Sequence, residues 1–151
     1  MIESKEKIIY TIGFTQKNAR QFFELLKKSG ANKIIDVRLN NNSQLAGFTK
    51  HEDLAFFLEA ILNWKYVHYL SLAPTKELLD SYKKKEINWQ EYETIFNQLM
   101  EKRNVAAKIK EEDLVGGVLL CSEHLPTYCH RRLVAEFFQK RWPNVKIKHL
   151  Y

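Results

Sequence analysis

Apolar positions in this chain follow two rhythms, short unbroken runs and stretches at helical spacing, and the two alternate along its length. The run Lys7-Ile-Ile-Tyr-Thr-Ile12 ends at Gly13 and predicts a strand. Residues 16–29 carry Ala19, Phe22, Phe23, Leu25 and Leu26 at helical spacing and stop at Ser29 and Gly30. Lys33-Ile-Ile-Asp-Val37 predicts a second strand, and the polar residues 38–49 predict a loop. Thr49 stands three residues before Glu52, the spacing of a capping box, ahead of a helix whose apolar face is Leu54, Phe57, Leu58 and Ile61. Lys65-Tyr-Val-His-Tyr69 alternates as a third strand. Helices are predicted over 75–84 and 88–103, the second burying Trp89, Tyr92, Ile95, Phe96 and Leu99. Residues 105–115 predict a short helix and a loop. Gly116-Gly-Val-Leu-Leu-Cys121 is apolar without a break, as a buried strand should be. A helix from Cys129 must stop before Pro143, and Val145-Lys-Ile-Lys-His-Leu150 alternates as a closing, edge strand.

Strands separated by helices favour a parallel sheet. The predicted fold is therefore a single α/β domain over residues 1–151, with a mostly parallel sheet of about five strands flanked by helices. In such sheets ligands bind outside the carboxyl ends of the strands. Polar groups lie at three of those ends: Thr11, Gly13 and Thr15 after the first strand, Asp36 and Arg38 after the second, Cys121 and Glu123 after the fourth. Cys129, His130 and Arg131 open the next helix and should meet them at the same edge.

Composition changes this picture little. Apolar residues at 45% and charged residues at 28% argue for a globular core and against disorder. A net charge of +6 makes an anionic partner plausible, either nucleic acid or a phosphorylated small molecule. The charge run Lys83-Lys-Lys85 reads first as solvated surface. Two cysteines do not form a disulfide framework, and no apolar run approaches the roughly 20 residues that span a bilayer. A cytoplasmic protein with reduced thiols and no membrane partner is expected.

The chemistry concentrates in residues 121–132. Cys129 is the expected reactive thiol, because a helix N-terminus and neighbouring Arg131 should lower its pKa. Glu123, His124 or His130 would act as acid or base, and Asp36 would orient Arg38. Arg38 and Arg131 would hold phosphate, with Gly13, Thr15 and Cys121 completing a substrate-binding wall. A second possibility is a metal held by Cys121, Glu123, Cys129 and His130. Their spacing matches no zinc-finger pattern, and adjacent ligands at 129 and 130 are awkward for one tetrahedral ion. A third is a Cys121–Cys129 disulfide switch. His51, His68 and His149 are assigned no chemistry. The Cys-x5-Arg loop of cysteine phosphatases fails, since Thr127 and Ala135 stand at the sixth places. Ile-Ile-Asp-Val-Arg38 is similar to the Asp-Val-Arg strand of rhodaneses, without a rhodanese-like cysteine loop.

Thr11-Ile-Gly13, Ile35-Asp-Val-Arg38, Gly47-Phe48 and Cys121-x-Glu123-x5-Cys129-His130-Arg131, in that order, resemble the family called domain of unknown function 488, over residues 8–150. The resemblance implies a small α/β domain with these motifs clustered, and it brings no substrate. The chain departs from the family pattern at Phe14 (often histidine), Asn40 (proline), Gln44 (arginine) and residues 71–74, where a glycine pair after leucine is usual. Two functions are open: an enzyme acting on a phosphorylated or nucleic-acid substrate through a Cys/Glu/Arg site, or a non-catalytic module binding nucleic acid or a nucleotide at the same edge.

Overall fold

The computed structural model describes residues 6–42 and 47–151. Residue 44, one of the departures from the family pattern, lies outside the described residues. Five strands, β1 (Lys7–Gly13), β2 (Lys33–Asp36), β3 (Lys65–His68), β4 (Gly117–Cys121) and β5 (Val145–Leu150), form one sheet in the order β3-β2-β4-β1-β5. Every pairing is parallel, so all five carboxyl ends share an edge. The central strand β4 is buried at every position, which explains its unbroken apolar sequence. β3 and β5 occupy the edges; no β3 side chain is buried, and in β5 only Val145 and Leu150 are.

Alternation along the strands divides the core in two. Ile9, Ile35 and Leu119 pack against α3 (Lys76–Lys83), α4 (Trp89–Lys102) and α7 (His130–Gln139). Tyr10, Ile12, Ile34 and Val118 pack against α1 (Ala19–Ser29) and α2 (His51–Phe57). Two single-turn helices, α5 (Val105–Lys108) and α6 (Glu111–Leu114), occupy the stretch read as one short helix and a loop. Among the described residues, no helix is long and apolar enough to cross a membrane.

Three local expectations are corrected. Thr49 does not cap α2: the N-cap is Lys50, without a side-chain bond, and Thr49 is buried in a 3-10 turn over Gly47–Thr49. The α2 face continues into a π turn over Leu58–Leu62, stopped by Asn63 in the left-handed region. In α4 the buried line is Tyr92, Phe96 and Met100, spaced four apart, so Ile95 is turned outward and 41% exposed. The α4 start is strongly specified. The Asn88 side chain accepts the Glu91 amide at 2.8 Å, and the Glu91 carboxylate accepts the Asn88 amide at 3.2 Å. Because α4 carries Trp89 and Tyr92 towards the sheet's carboxyl edge, this cap also positions one wall of the site. Asn88→Ala should lower the unfolding free energy by about 1 kcal/mol in a urea titration, and Asn88→Ser by a few tenths at most. Equal losses for the two would refute a capping role.

Candidate functional site

The parallel register brings the predicted strand ends together. Gly13 pairs with Cys121, and Asp36 pairs with Leu120, so β4 ends between the ends of β1 and β2. Backbone bonds extend the alignment past the strands: Val37 N–H to Leu120 O, Phe14 N–H to Cys121 O and Thr15 N–H to Ser122 O, at 3.1–3.2 Å. The chain after Cys121 is thus pinned beside the end of β1.

At the end of β2, Asp36 and Arg38 stand two residues apart and face the same way. The Arg38 guanidinium meets the Asp36 carboxylate through two bonds, Nε to Oδ1 at 2.9 Å and Nη2 to Oδ2 at 2.8 Å. Nη2 also donates to the Thr49 carbonyl at 2.7 Å, and the Arg38 amide donates to Asp36 Oδ1 at 3.0 Å. Asp36 is fully buried and Arg38 is 4% exposed. Burial alone would lower the pKa of Arg38, but the bonds to Asp36 and its charge outweigh that and raise it, so the guanidinium stays charged. One donor remains. Arg38 Nη1 is buried and has no hydrogen-bond partner.

The neighbouring strand braces this pair. Tyr66 donates its hydroxyl to Asp36 Oδ2 at 2.5 Å, and His68 Nε2 donates to the Arg38 carbonyl at 2.7 Å. Burial, followed by the Asp36 contact, pushes the Tyr66 hydroxyl pKa upward, so it remains a donor. Sequence reasoning left both residues out. The available signal was their alternation, Tyr66-x-His68, which sets both side chains on one face of a strand that pairs with β2.

Arg131 occupies a different place from the one expected. It is fully buried, and its donors go to Thr11 Oγ1 at 3.2 Å, the Glu123 carbonyl at 2.5 Å and the His124 carbonyl at 3.2 Å. Thr15 ties the same loop with a hydroxyl bond to the Ser122 carbonyl at 2.8 Å. Arg131, Gly13 and Thr15 therefore stand behind the loop that follows β4 and hold it. None of the three lines the cavity in front of it. Arg132 is likewise engaged, through Glu136 at 2.7 Å and Glu93 at 3.5 Å.

That cavity, about 970 Å³, is bounded by Arg38, Cys121, Glu123, Cys129 and His130 on the sheet side, and by Tyr82, Trp89, Tyr92 and Tyr128 opposite. Its size suits a nucleotide-sized ligand. Trp89 Nε1 is, like Arg38 Nη1, a buried donor with no partner. The charged residues on its walls balance: Arg38, Lys83 and Lys85 against Glu86, Glu91 and Glu123. The net charge of the chain is therefore not gathered in this cavity.

Both thiols are free and buried. The expected pKa order is reversed. Burial, reinforced by the neighbouring Cys121, pushes the Cys129 thiol up. A hydrogen bond from Cys129 pulls the Cys121 thiol down against the cost of its burial, with help from Ser122 and the Arg131 charge. The helix-start argument failed because Cys129 caps a helix whose start is covered, and because Arg131 turns its charge towards Cys121. His130 lies beside them, its Nδ1 3.5 Å from Cys121 Sγ and its Nε2 2.6 Å from the Val37 carbonyl.

The fold and site together define a parallel α/β domain with a cysteine- and histidine-lined cavity at the carboxyl edge of its sheet. The chain belongs to the family described as domain of unknown function DUF488, whose family model matches residues 18–138. No curated protein and no solved structure matches it.

Proposed function

We propose that the protein is an enzyme acting on a phosphorylated ligand of nucleotide size, with Arg38 taking the phosphate and the Cys121, Cys129 and His130 cluster carrying the chemistry. The observation that carries this reading is the unpartnered, buried Nη1 of Arg38, a residue that lines the cavity. A buried donor without a partner costs roughly 1–3 kcal/mol, more when charged, and an incoming phosphate oxygen would remove that cost. Asp36, Tyr66 and the Thr49 carbonyl hold the guanidinium in place, so little is lost in ordering it on binding. The aromatic wall of Tyr82, Trp89 and Tyr92 offers a surface for a planar ring. Glu123 is exposed and lines the cavity, where it is the proposed acid or base.

A compact, charge-balanced cavity supports a small ligand over a polymer, whose binding draws on many cations spread along a face. The second reading, a non-catalytic nucleotide or nucleic-acid module, draws on Tyr128, which is 61% exposed beside the cavity and open to base stacking. Calorimetry with adenosine and AMP tests the phosphate claim. AMP should bind more tightly than adenosine, and Arg38→Lys, which keeps the charge but loses the fork, should weaken AMP by about 10–100-fold. Equal binding of the two compounds, or an unaffected Arg38→Lys variant, would overturn it. Turnover by the wild type that survives in Cys121→Ser would remove the cluster from the chemistry.

A further inference from the structure

The sulfur–nitrogen cluster at the cavity floor has the donor set of a metal centre, gathered in one place. The Sγ atoms of Cys121 and Cys129 and a ring nitrogen of His130 all lie within 4.8 Å of one another. For a tetrahedral zinc ion with Zn–S of about 2.3 Å and Zn–N of about 2.0 Å, a sulfur–nitrogen edge spans about 3.5 Å. The Cys121 Sγ to His130 Nδ1 separation is 3.5 Å.

The histidine tautomer points the same way. A carbonyl oxygen cannot donate, so the 2.6 Å contact between Nε2 and the Val37 carbonyl requires the proton on Nε2. That leaves Nδ1 as the ring nitrogen free to ligate, with Cys121 Sγ 3.5 Å from it and 3.9 Å from Nε2. A ligating histidine typically anchors its far N–H on a carbonyl or carboxylate in this way.

Adjacency of residues 129 and 130 is no obstacle. Cys129 is the helix cap with extended backbone, φ −136° and ψ 137°, while His130 begins the helical turn, so their side chains can converge. Glu123, the remaining member of the sequence-derived ligand set, is not part of the cluster. The cluster's three residues all line the cavity, which leaves a fourth position facing the ligand space, the arrangement of catalytic rather than structural zinc. Charge fits as well. Two thiolates and a neutral imidazole on a dication sum to zero, which suits a fully buried place better than free thiolates do.

We propose that Cys121, Cys129 and His130 bind one zinc-class ion whose open position faces the cavity beside Arg38. This deepens the reading above and rests on it only for what fills that position, a phosphate oxygen or a water.

The test adds cobalt(II) as a spectroscopic probe to the full-length, reduced protein, then displaces it with zinc. One ion per chain is expected, with thiolate-to-cobalt charge-transfer absorption and the strong visible bands of tetrahedral cobalt. Outer-shell changes already weaken metal sites by about 10–100-fold, so Cys121→Ser, Cys129→Ser and His130→Gln should each weaken binding by on the order of 100-fold or more. Glu123→Gln should leave it unchanged. X-ray absorption on the zinc-loaded wild type needs no variant, and should find two sulfurs in the first shell. A shell of nitrogen and oxygen only, or cobalt binding unmoved by the cysteine variants, overturns the proposal. If AMP binding still depends on Arg38 while metal binding fails, only the metal centre falls. If the metal binds and AMP is not preferred over adenosine, only the phosphate reading falls.

Discussion

Replacing Asp36 by alanine should lower the unfolding free energy by about 3–5 kcal/mol, the usual cost of removing one partner from a buried ion pair. Four donors converge on this carboxylate: the Arg38 amide, Nε and Nη2, and the Tyr66 hydroxyl. The variant leaves a guanidinium that is 4% exposed with only the Thr49 carbonyl to meet it. Against a total stability of roughly 5–15 kcal/mol this is a large fraction, and it corresponds to a fall in Tm on the order of 10 °C. Urea unfolding followed by circular dichroism measures it directly. The pair itself need not be a net source of stability, because desolvating both charges offsets much of their attraction. The double variant Asp36→Leu with Arg38→Met should therefore recover a good part of the loss while abolishing preference for AMP over adenosine. A loss below about 1 kcal/mol for Asp36→Ala would mean that water reaches the pair and that its burial is overstated.

A pair this costly to bury is accounted for by the phosphate-binding role proposed for Arg38. A purely structural strand end could be closed with leucine and methionine. Instead the chain just after β2 delivers a charged fork whose Nη1 has no partner, next to two thiols and a histidine. Three features that are each expensive to bury lie against one cavity.

Much of this was legible from the chain alone, for identifiable reasons. Gly117-Val-Leu-Leu-Cys121 is apolar on both faces because β4 is the central strand, so its place in the sheet was written in its pattern. A parallel sheet shares one carboxyl edge by construction. The meeting of Asp36, Arg38, Cys121, Cys129 and His130 followed from topology without any knowledge of contacts. Direction within the edge was not legible. Arg131 and Arg38 are both buried arginines at the carboxyl edge, yet one holds the loop after β4 and the other lines the cavity. That difference depends on which carbonyls lie within reach, a property of the folded loop alone. The pKa order of the two cysteines failed for the same reason, since helix-start arguments assume a start open to water. The Thr49 expectation failed because a 3-10 turn took up Thr49 and left Lys50 as the cap, and the Thr49 carbonyl serves Arg38.

Gly13→Ala should be severe, lowering stability by about 3 kcal/mol or more or preventing folding, although the position is one methyl group from the wild type. A Cβ built on Gly13 would sit 1.5 Å from the Glu123 carbonyl oxygen and 2.4 Å from its carbon, distances that backbone atoms cannot tolerate. Neither side has room to retreat. Gly13 is in parallel register with Cys121, and the next two residues donate to Cys121 and Ser122. The Glu123 carbonyl is held from beyond by Arg131 Nη1, which would itself lie 3.1 Å from the new methyl group. Relief therefore requires the loop after β4 to move away from β1, which breaks the Phe14 and Thr15 amide bonds and releases Arg131. Hydrogen exchange should report this as faster exchange at the Phe14 and Thr15 amides in whatever folded fraction remains. Because the same loop leads from Cys121 to Cys129, cobalt affinity should fall even though no ligand is changed. Gly47→Ala serves as the control, since a methyl group there meets nothing within 4 Å and should change stability by no more than about 0.5 kcal/mol. Equal stability of the two variants would show that the close approach of β1 to the Glu123 carbonyl does not hold the site together.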